Sequence, residues 1–364
     1  MGSHSSNVVD RVQSAVREGR LRLPVAALAT GVLVLLLAAC DPHPQTTLSP
    51  ESDYANNIQN LFVLTCWAGL VVFVLVEGAM IYAALRFRRK PGDPRPPLLP
   101  GNRVLEIAWT AAPVLILTVI GVPTIGLVFQ SGGDAPSSAL QVTAIGHQWW
   151  FEFQYPDQKI VTANEMHIPV GQPVNIALKS ADVMHSLWIP KLAGKRDMIP
   201  NHTNYLWFTP QKMDTYYGEC AEFCGVSHAN MGFRVVVQSQ ADFDAWVKTQ
   251  QQPAIAPSTP QQQAGQQVFS GSCAVCHQVG ATAPRGFPDP QAPSVLIIGP
   301  NLTHIASRST IAAAMFPNDP TSLAQWLGDP PAEKPGNLMG LVIGHGVMQG
   351  QQLNDLVAYL DSLK

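Results

Sequence analysis

The sequence predicts a multidomain chain made of a two-helix transmembrane hairpin, a β-sandwich or barrel, and an all-α domain near the C-terminus. Three observations support this prediction. Two apolar stretches, 61–85 and 104–129, are each long enough to cross a bilayer. Between 140 and 238, short runs alternate apolar and polar residues with the period of a strand. Near the C-terminus, apolar residues recur at helical spacing, namely Leu353, Leu356, Val357, Leu360 and Leu363.

Composition limits both the domain count and the kinds of partner. At 364 residues the chain is long enough for two or three domains. Charged residues make up only 13% of it, and the formal net charge is -3. Nucleic-acid binding requires a basic surface, which this balance does not supply, so nucleic acid is excluded as a partner.

The N-terminal segment resembles a secretion signal. A basic stretch and an apolar run over 25–37 precede Leu37-Ala38-Ala39-Cys40, a small-residue cleavage site followed by cysteine, as in the lipobox of bacterial lipoproteins. The run is shorter than the length needed to cross hydrocarbon, which favours cleavage over the alternative of an uncleaved first membrane helix. We therefore predict a signal peptide over 1–39, lipidation at Cys40, and an extracytoplasmic segment over 40–60.

The predicted hairpin occupies 61–130, and its loop carries a strong positive charge. The basic residues around the loop outnumber its single acid, Asp93; they are Arg86, Arg88, Arg89, Lys90, Arg95 and Arg103. The positive-inside rule places this loop in the cytoplasm and everything after Phe129 outside. A hairpin is too small to form a channel, so we expect it to dock on a larger integral membrane partner. Glu77 lies within the first span, where a carboxylate should be protonated, paired or facing protein.

The β-domain is predicted over 140–248. Val174, Ile176 and Leu178 alternate with polar or small residues, and a second alternating run begins at Met231. Residues 242–250 read as a short closing helix. The stretch 249–264 is rich in Gln, Pro and Ala, which predicts a linker. As a flexible coil it would raise the local concentration of the following domain, 265–364, at its neighbour.

Between Cys220 and Met231 lies a set of soft metal ligands. Two thiols, the imidazole of His228 and the thioether of Met231 suit copper, whereas a thioether is a poor ligand for zinc. A mononuclear blue-copper site needs one cysteine, so the second one, Cys224, suggests two coppers bridged by both sulfurs. His185 would then supply the second imidazole from a separate loop. A disulfide with a bystander histidine is the alternative.

A second cofactor motif lies in the C-terminal domain. Cys273-Ala274-Val275-Cys276-His277 is the attachment signature of c-type haem, in which both thiols bind the haem covalently and His277 binds iron. A zinc or redox Cys-x-x-Cys pair is the alternative. The histidine that follows at once and the predicted extracytoplasmic location favour haem.

The copper motif together with His185 resembles the binuclear CuA domain of cytochrome c oxidase subunit II. The resemblance implies a cupredoxin-like fold, the backbone carbonyl of Glu222 as a further copper ligand, and the Glu222 side chain at a magnesium site shared with subunit I. The aromatic segment from Gly146 to Tyr155 resembles the family stretch whose first Trp, here Trp149, receives electrons. Glu106 resembles the family's acid near a proton pathway of subunit I; a solvated acid at a helix start is the alternative.

The C-terminal domain resembles class I cytochromes c. In that family a proline packs beside the proximal histidine, as Pro300 would beside His277, and a methionine supplies the sixth iron ligand. The loop ending in Met339 resembles the axial-methionine loop, although Gly340 stands where a proline commonly follows. The alternatives for the sixth ligand are Met348, Met315 and His345.

The resemblance of the whole chain is to subunit II of a caa-type haem–copper cytochrome c oxidase with a fused cytochrome c. It implies a two-pass protein of the bacterial inner membrane with periplasmic copper and haem domains, working with subunits I and III. Electrons would enter from a cytochrome c or an upstream quinol-oxidising complex. They would reach the oxygen-reducing site of subunit I, coupled to proton pumping. The motifs include no nucleophile paired with a base, so the subunit itself should only relay electrons.

Two other functions are compatible with parts of the sequence. A CuA protein of the nitrous-oxide reductase type would need a large propeller domain with many histidines, for which the chain is too short and has only 10 histidines. A membrane-anchored redox or copper-delivery lipoprotein acting outside an oxidase would not need two long spans. The pair Cys220 and Cys224 excludes a quinol-oxidase subunit.

Overall fold

The computed structural model describes residues 31, 43–89, 91–92, 94, 100–280 and 299–364. The chain divides into two compact units, Met1–Thr46 and Thr47–Lys364. The proposed lipidation site Cys40 and the loop residues Lys90, Asp93 and Arg95 lie outside the described residues. The following description concerns the second unit.

Two long apolar helices begin this unit: α1, Asp53–Arg86, and α2, Arg103–Gly132. Both are long and apolar enough to cross a membrane, as the sequence predicts. α1 starts earlier than the apolar stretch at 61 because Ser52 caps it, its hydroxyl accepting from the Ala55 amide. Glu77 is exposed on the surface of α1.

The middle of the unit, the β-domain (140–250), consists of two five-stranded sheets and a closing helix, in agreement with the predicted β-sandwich. The first sheet has the order β3-β2-β1-β5-β8 and the second the order β4-β10-β9-β6-β7. The strands are β1 Leu140–His147, β2 Trp150–Tyr155, β3 Ile160–Ala163, β4 Glu165–Pro169, β5 Val174–Ser180, β6 His185–Ile189, β7 Ala193–Met198, β8 Asn204–Phe208, β9 Asp214–Cys220 and β10 Gly232–Gln238. The closing helix is α3, Gln240–Gln250.

The apolar alternation in the sequence becomes the core between the two sheets. Val174, Ile176 and Leu178 on β5 are fully buried, and so is Phe233 on β10. The Phe233 ring lies directly on Gly218, where an added Cβ would stand 2.2 Å from Cζ. This core holds the loops at one end of the domain on a rigid sheet.

The connection after α3 is shorter than the predicted linker over 249–264. Thr259 and Gln262 form a capping box, so helix α4 begins at Pro260. Only 251–259 lies between the helices. The side chain of Gln251 bonds to the Gln158 carbonyl, and the Gln252 carbonyl bonds to His304, so this short segment is itself anchored.

The last part of the unit, the helical domain (260–364), is predominantly helical, as predicted. Its elements are α4 Pro260–Ser272, β11 Thr310–Ile311, β12 Phe316–Pro317, α5 Pro320–Gly328, α6 Pro330–Glu333, α7 Met339–Val342 and α8 Gly350–Leu360. α4 crosses α8 at Gly265, where an added Cβ would stand 2.0 Å from the Asp355 carbonyl oxygen. Leu356, Val357 and Leu360 of α8 are buried in the core of this domain.

Candidate copper and haem sites

Three predicted copper ligands meet at one end of the β-domain. Cys220 ends β9, Cys224 follows in the next loop, and His185 opens the neighbouring strand β6. One ligand atom from each lies within 4.8 Å of the others. The two Sγ atoms are 3.8 Å apart, and His185 Nδ1 is 3.9 Å from Cys220 Sγ. Both cysteines are free thiols, so the disulfide alternative is not what the structure contains.

The remaining predicted ligands lie around the same two sulfurs. His228 Nδ1 is 3.5 Å and Met231 Sδ is 3.8 Å from Cys224 Sγ. The backbone carbonyl oxygen of Glu222 lies 3.3 Å from Cys220 Sγ. Two thiols, two imidazoles, a thioether and a carbonyl therefore converge in one place, a donor set that fits copper.

The surroundings of these sulfurs favour one thiolate over two. Hydrogen bonds from Cys224 and then from His185 lower the pKa of Cys220 well below its usual value, against the opposing effect of burial. Two neighbouring thiols resist carrying two charges at once, so the same contact raises the pKa of Cys224. A bound cation would remove this conflict, because metal binding keeps both thiols deprotonated.

Asp182 orients the first histidine. His185 Nε2 lies 2.7 Å from Asp182 Oδ1, which leaves Nδ1 facing the sulfurs. Burial opposes ionisation of Asp182, yet hydrogen bonds from His185 and from two backbone amides lower its pKa overall. A carboxylate bonded to the far nitrogen of a ligating histidine is common at metal sites because it fixes the ring.

A cavity of about 480 Å³ lies beside the haem attachment motif. Cys273, Cys276 and His277 line it, together with apolar side chains of the helical domain such as Leu323 and Trp326. Residues of the β-domain also line it, including Trp149, Trp150 and Asp182. The cavity has an apolar wall and paired thiols, which fit a covalent haem, and both domains enclose it.

His277, the predicted iron ligand, is held in position by its neighbours. Its Nδ1 lies 2.8 Å from the Pro300 carbonyl oxygen, so Nε2 is the nitrogen available to a metal. Burial lowers the pKa of His277, which favours the neutral ring that a ligand requires. Gly299 packs against the ring, where an added Cβ would stand 2.5 Å from Cε1.

The candidates for the sixth iron ligand occupy different environments. Met339 starts α7 and lines the cavity. Met348 is buried in the core of the helical domain beside residues of α8. His345 is exposed, and its Nδ1 lies 2.9 Å from Asp329 Oδ1. Met315 lies half-buried just before β12.

Trp149 lies between the two sites. Its side chain is 8% exposed, and its Nε1 donates to the Cys224 carbonyl oxygen at 3.0 Å. The ring packs between two glycines with positive φ: an added Cβ at Gly225 or Gly336 would stand 3.0 Å from it. Gly225 belongs to the loop between Cys220 and Met231, called the copper loop below, and Gly336 belongs to the loop that carries Met339. A single indole therefore contacts both loops.

The sequence analysis did not single out Lys334, which the structure places beside Trp149. Its Nζ donates to the Trp149 carbonyl oxygen at 2.6 Å, and the residue is 4% exposed. Burial lowers the pKa of this amine to about 7, and the nearby Cys224 partly opposes that shift. A lysine in a polar loop reads as solvated, so no local pattern could have revealed its burial.

The two predicted acidic site residues lie apart from this arrangement or at its edge. Glu106 is exposed in the first turn of α2, behind its cap Asn102. Glu222 is half-buried in the copper loop. The neighbouring Phe223 and Val226 are each 76% exposed, so this loop presents an apolar surface.

Three family models match successive parts of the chain. "Cytochrome C oxidase subunit II, transmembrane domain" matches 45–127, "Cytochrome C oxidase subunit II, periplasmic domain" matches 158–240, and "Cytochrome c" matches 262–364. Their order agrees with the hairpin, the β-domain and the helical domain.

Relatives match over nearly the whole length. Cytochrome c oxidase subunit 2 of Alkalihalophilus pseudofirmus is 32% identical over 345 residues, which cover 93% of this chain and 96% of that protein. The protein of the same name from Bacillus sp. (strain PS3) is 33% identical over 352 residues, covering 92% and 96%. That of Bacillus subtilis is 31% identical over 354 residues, covering 93% and 97%.

Matches of this extent favour the oxidase over the nitrous-oxide reductase and copper-delivery alternatives. They also agree with the two apolar helices and with the donor sets in the two following domains. The chain belongs to the cytochrome c oxidase subunit II family, as a two-span membrane subunit with a periplasmic domain and a fused cytochrome c domain that carries electrons into the oxidase.

Proposed function

We propose that this subunit passes electrons within itself, from a covalent haem c in the helical domain to a binuclear CuA centre in the β-domain. The residues that would hold the coppers are His185, Cys220, Glu222 through its carbonyl, Cys224, His228 and Met231. The residues that would hold the haem are Cys273, Cys276, His277 and Met339. When bound, these groups supply one-electron carriers, and no bond of the chain has to form or break.

The observation that carries this proposal is that Trp149 contacts both the haem cavity and the predicted copper site. The haem cavity is lined by Trp149, whose indole nitrogen bonds to the carbonyl of a copper-ligand candidate, Cys224. Its backbone carbonyl in turn accepts from Lys334, in the loop of Met339. Trp149 thus lies at the point where electrons would enter the copper site, and its contact there is the chain's own helical domain.

The protein's contribution is to hold the ligands still. The copper candidates come from strand ends and a short loop on a packed sheet, and Asp182 fixes the ring of His185. Apolar side chains such as Leu323 and Trp326 line the cavity and would keep water from a bound haem. A rigid, dry site reduces the rearrangement that accompanies each electron transfer.

The order of reduction tests this path. When the purified oxidase is mixed with reduced donor under anaerobic conditions, we expect the haem c band to change before the near-infrared copper band. If haem c is removed, loss of both the haem band change and the copper band change would agree with the path. Reduction of copper ahead of haem would contradict it.

We further propose that the hairpin and the exposed apolar residues Phe223 and Val226 dock on subunit I, with subunit III in the same complex. The donor would be a cytochrome c or a quinol-oxidising complex, and oxygen reduction in subunit I would be coupled to proton pumping. The supporting observation is that α1 and α2 expose large apolar side chains along most of their length. Co-purification of these subunits after detergent extraction checks the assembly.

The magnesium ion implied at the Glu222 side chain stays a prediction. Glu222 is half-buried in the loop that would face subunit I, which leaves room for ligands from another chain. We expect the complex to lose stoichiometric magnesium when Glu222 is replaced with Gln. Metal analysis of the purified complex, with unaltered protein as reference, measures this.

The axial ligand can be assigned by comparing two methionines. Because Met339 lines the cavity, Met339→Ala should remove the thioether charge-transfer band at the red end of the oxidised spectrum and lower the haem potential. Met348→Ala should keep the band and instead destabilise the domain by about 2–5 kcal/mol, the usual effect of emptying a core position. Loss of the band in Met348→Ala alone would contradict the assignment.

Glu106 is proposed to collect protons at the cytoplasmic start of α2. Its exposed carboxylate precedes the membrane span, where it can take protons from water and pass them to a neighbouring subunit. Glu106→Gln should slow turnover while leaving the spectra of both redox centres and the reduction of copper unchanged. Asp244→Asn, which alters an exposed acid on α3, is the control. If Glu106→Gln turns over like the unaltered protein from mildly acidic to mildly alkaline pH, Glu106 is only a solvated acid at the start of a helix.

A further inference from the structure

The short hairpin of the helical domain, 309–317, is built around an unusual turn. Ala312, Ala313 and Ala314, between β11 and β12, have φ values of 54°, 62° and 64°. L residues rarely adopt this left-handed conformation, and three in succession need support from their surroundings. Such backbone is often retained where it serves a contact.

All three carbonyl groups of this turn have partners. The Ala312 carbonyl oxygen accepts from Lys334 Nζ at 3.4 Å. That of Ala313 accepts from the Gly232 amide at 3.1 Å, and that of Ala314 from Arg234 Nη2 at 3.4 Å. Gly232 and Arg234 lie on β10, directly after the copper-ligand candidate Met231. The left-handed turn therefore aims successive carbonyls at the β-domain and at the lysine.

A second contact fixes the start of the hairpin. The Ser309 amide donates to Glu165 Oε2 at 2.8 Å, and the Ser309 hydroxyl bonds to the same oxygen. Glu165 is buried on β4 and is the register partner of Arg234 on β10. Both ends of the turn thus rest on the same pair of strands.

Lys334 connects this hairpin with the loop of Met339. One amine bonds to the carbonyl of Ala312 in the hairpin and to the carbonyl of Trp149 in the β-domain. The next residue, Pro335, accepts through its carbonyl from the Ser227 hydroxyl of the copper loop. Gly336 then lies against the Trp149 ring.

We infer that the hairpin 309–317 is a docking device that holds the helical domain on the β-domain, and that Lys334 is the positioning residue that keeps the Met339 loop against Trp149. The inference rests on the proposed electron path for its kinetic consequence. Electron transfer would occur within a fixed interface, and the segment 251–259 would serve as a connection, not as the tether that sets the encounter rate.

The test uses the intact oxidase and compares Lys334→Met with Lys248→Met, which removes an exposed lysine of α3. Because small displacements at a reaction interface cost large factors in rate, haem-to-copper transfer after flash reduction should slow at least about tenfold in Lys334→Met only. The donor KM should stay unchanged while kcat falls, since the donor cannot reach a buried lysine. The spectra of both centres should be unaltered.

Hydrogen exchange measures docking without turnover. In the intact complex, the peptides that contain Gly232 and 309–317 should exchange faster in Lys334→Met than in Lys248→Met, because the amide of Gly232 loses a stable partner. In a protein that keeps Lys334, lengthening the segment 251–259 with Gly and Ser should leave the rate of haem-to-copper electron transfer unchanged. A rate that falls with linker length would overturn the docking device.

A second pair of variants leaves Lys334 in place. Ala313→Gly keeps the left-handed turn accessible, whereas Ala313→Val disfavours it because a β-branched residue strongly avoids positive φ. We expect unaltered transfer in the first and slow transfer with faster exchange in the second. Unaltered transfer and exchange in both Lys334→Met and Ala313→Val would overturn the inference. Absence of haem-to-copper transfer in the unaltered complex would instead refute the electron path, and hydrogen exchange would still decide on docking.

Discussion

Cys220→Ser is expected to abolish the binuclear copper signal completely while the haem stays attached. Cys220 Sγ lies among His185 Nδ1, Cys224 Sγ and the Glu222 carbonyl oxygen, so it is central to the donor set. A serine hydroxyl is a hard, neutral donor that cannot replace a bridging thiolate. The predicted haem thiols, Cys273 and Cys276, lie in the helical domain, so their attachment to haem should not depend on copper. Copper EPR and near-infrared spectra, together with the haem stain of the denatured subunit, measure both effects.

The matched control is Cys66→Ser, which removes an exposed thiol of α1. It should keep two coppers per complex and normal donor-driven oxygen consumption. Donor-driven turnover of the Cys220→Ser variant should fall to the background rate of an oxidase without copper at this site. An unchanged copper spectrum in Cys220→Ser would show that the ligand assignment is wrong.

Gly265→Ala is expected to destabilise the helical domain by about 3 kcal/mol, the upper range for overpacking a tight contact. The new Cβ would stand 2.0 Å from the Asp355 carbonyl oxygen and 2.7 Å from the Tyr359 Cβ, both on α8. Because the nearest atom belongs to a helix backbone, a side chain cannot rotate away and the two helices must separate. Their crossing closes the core on which the haem cavity rests.

Gly271→Ala in the same helix is the matched control, since an added Cβ there has no neighbour within 4 Å. Alanine is the better helix former, so this variant should be neutral or more stable by up to about 1 kcal/mol. Denaturant unfolding followed through the haem band compares the two. Equal stability of both variants would contradict the close crossing of α4 and α8.

Local patterns were sufficient to predict the three structural classes. The membrane helices follow from apolar length, the strands from period-two alternation as in Val174, Ile176 and Leu178, and α8 from the spacing of Leu356 and Leu360. The boundaries were less accurate. Helix α1 begins at Asp53 and α4 at Pro260, because the caps Ser52 and Thr259 decide where each helix starts.

The ligand candidates were also accessible from the sequence, because both motifs are short. Each motif lies within a dozen residues or fewer, namely Cys220 to Met231 and Cys273 to His277. Spacing alone therefore indicates that the side chains of each motif can converge. His185 lies outside both motifs and was inferred from the need for a second imidazole; the structure brings it to the cysteines by pairing β6 with β9. The sequence favoured Met339 over Met348 and His345 only through the resemblance of its loop, because all three lie within ten residues. They differ in what surrounds them, since Met339 lines the cavity and Met348 is buried in the core.

The sequence by itself determined the hairpin, the β-domain, the helical domain and the two soft-ligand motifs, since each of these depends on residues near one another in the chain. Only the tertiary structure decided how the two redox domains meet. The contact of Lys334 with Trp149 joins residues 185 positions apart, and the turn at Ala313 meets Gly232 across the domain boundary. Such contacts form between the surfaces of two folded domains, and the residues that make them show no periodic pattern in the sequence. For that reason a polar loop and three alanines gave no sign of the interface that they form.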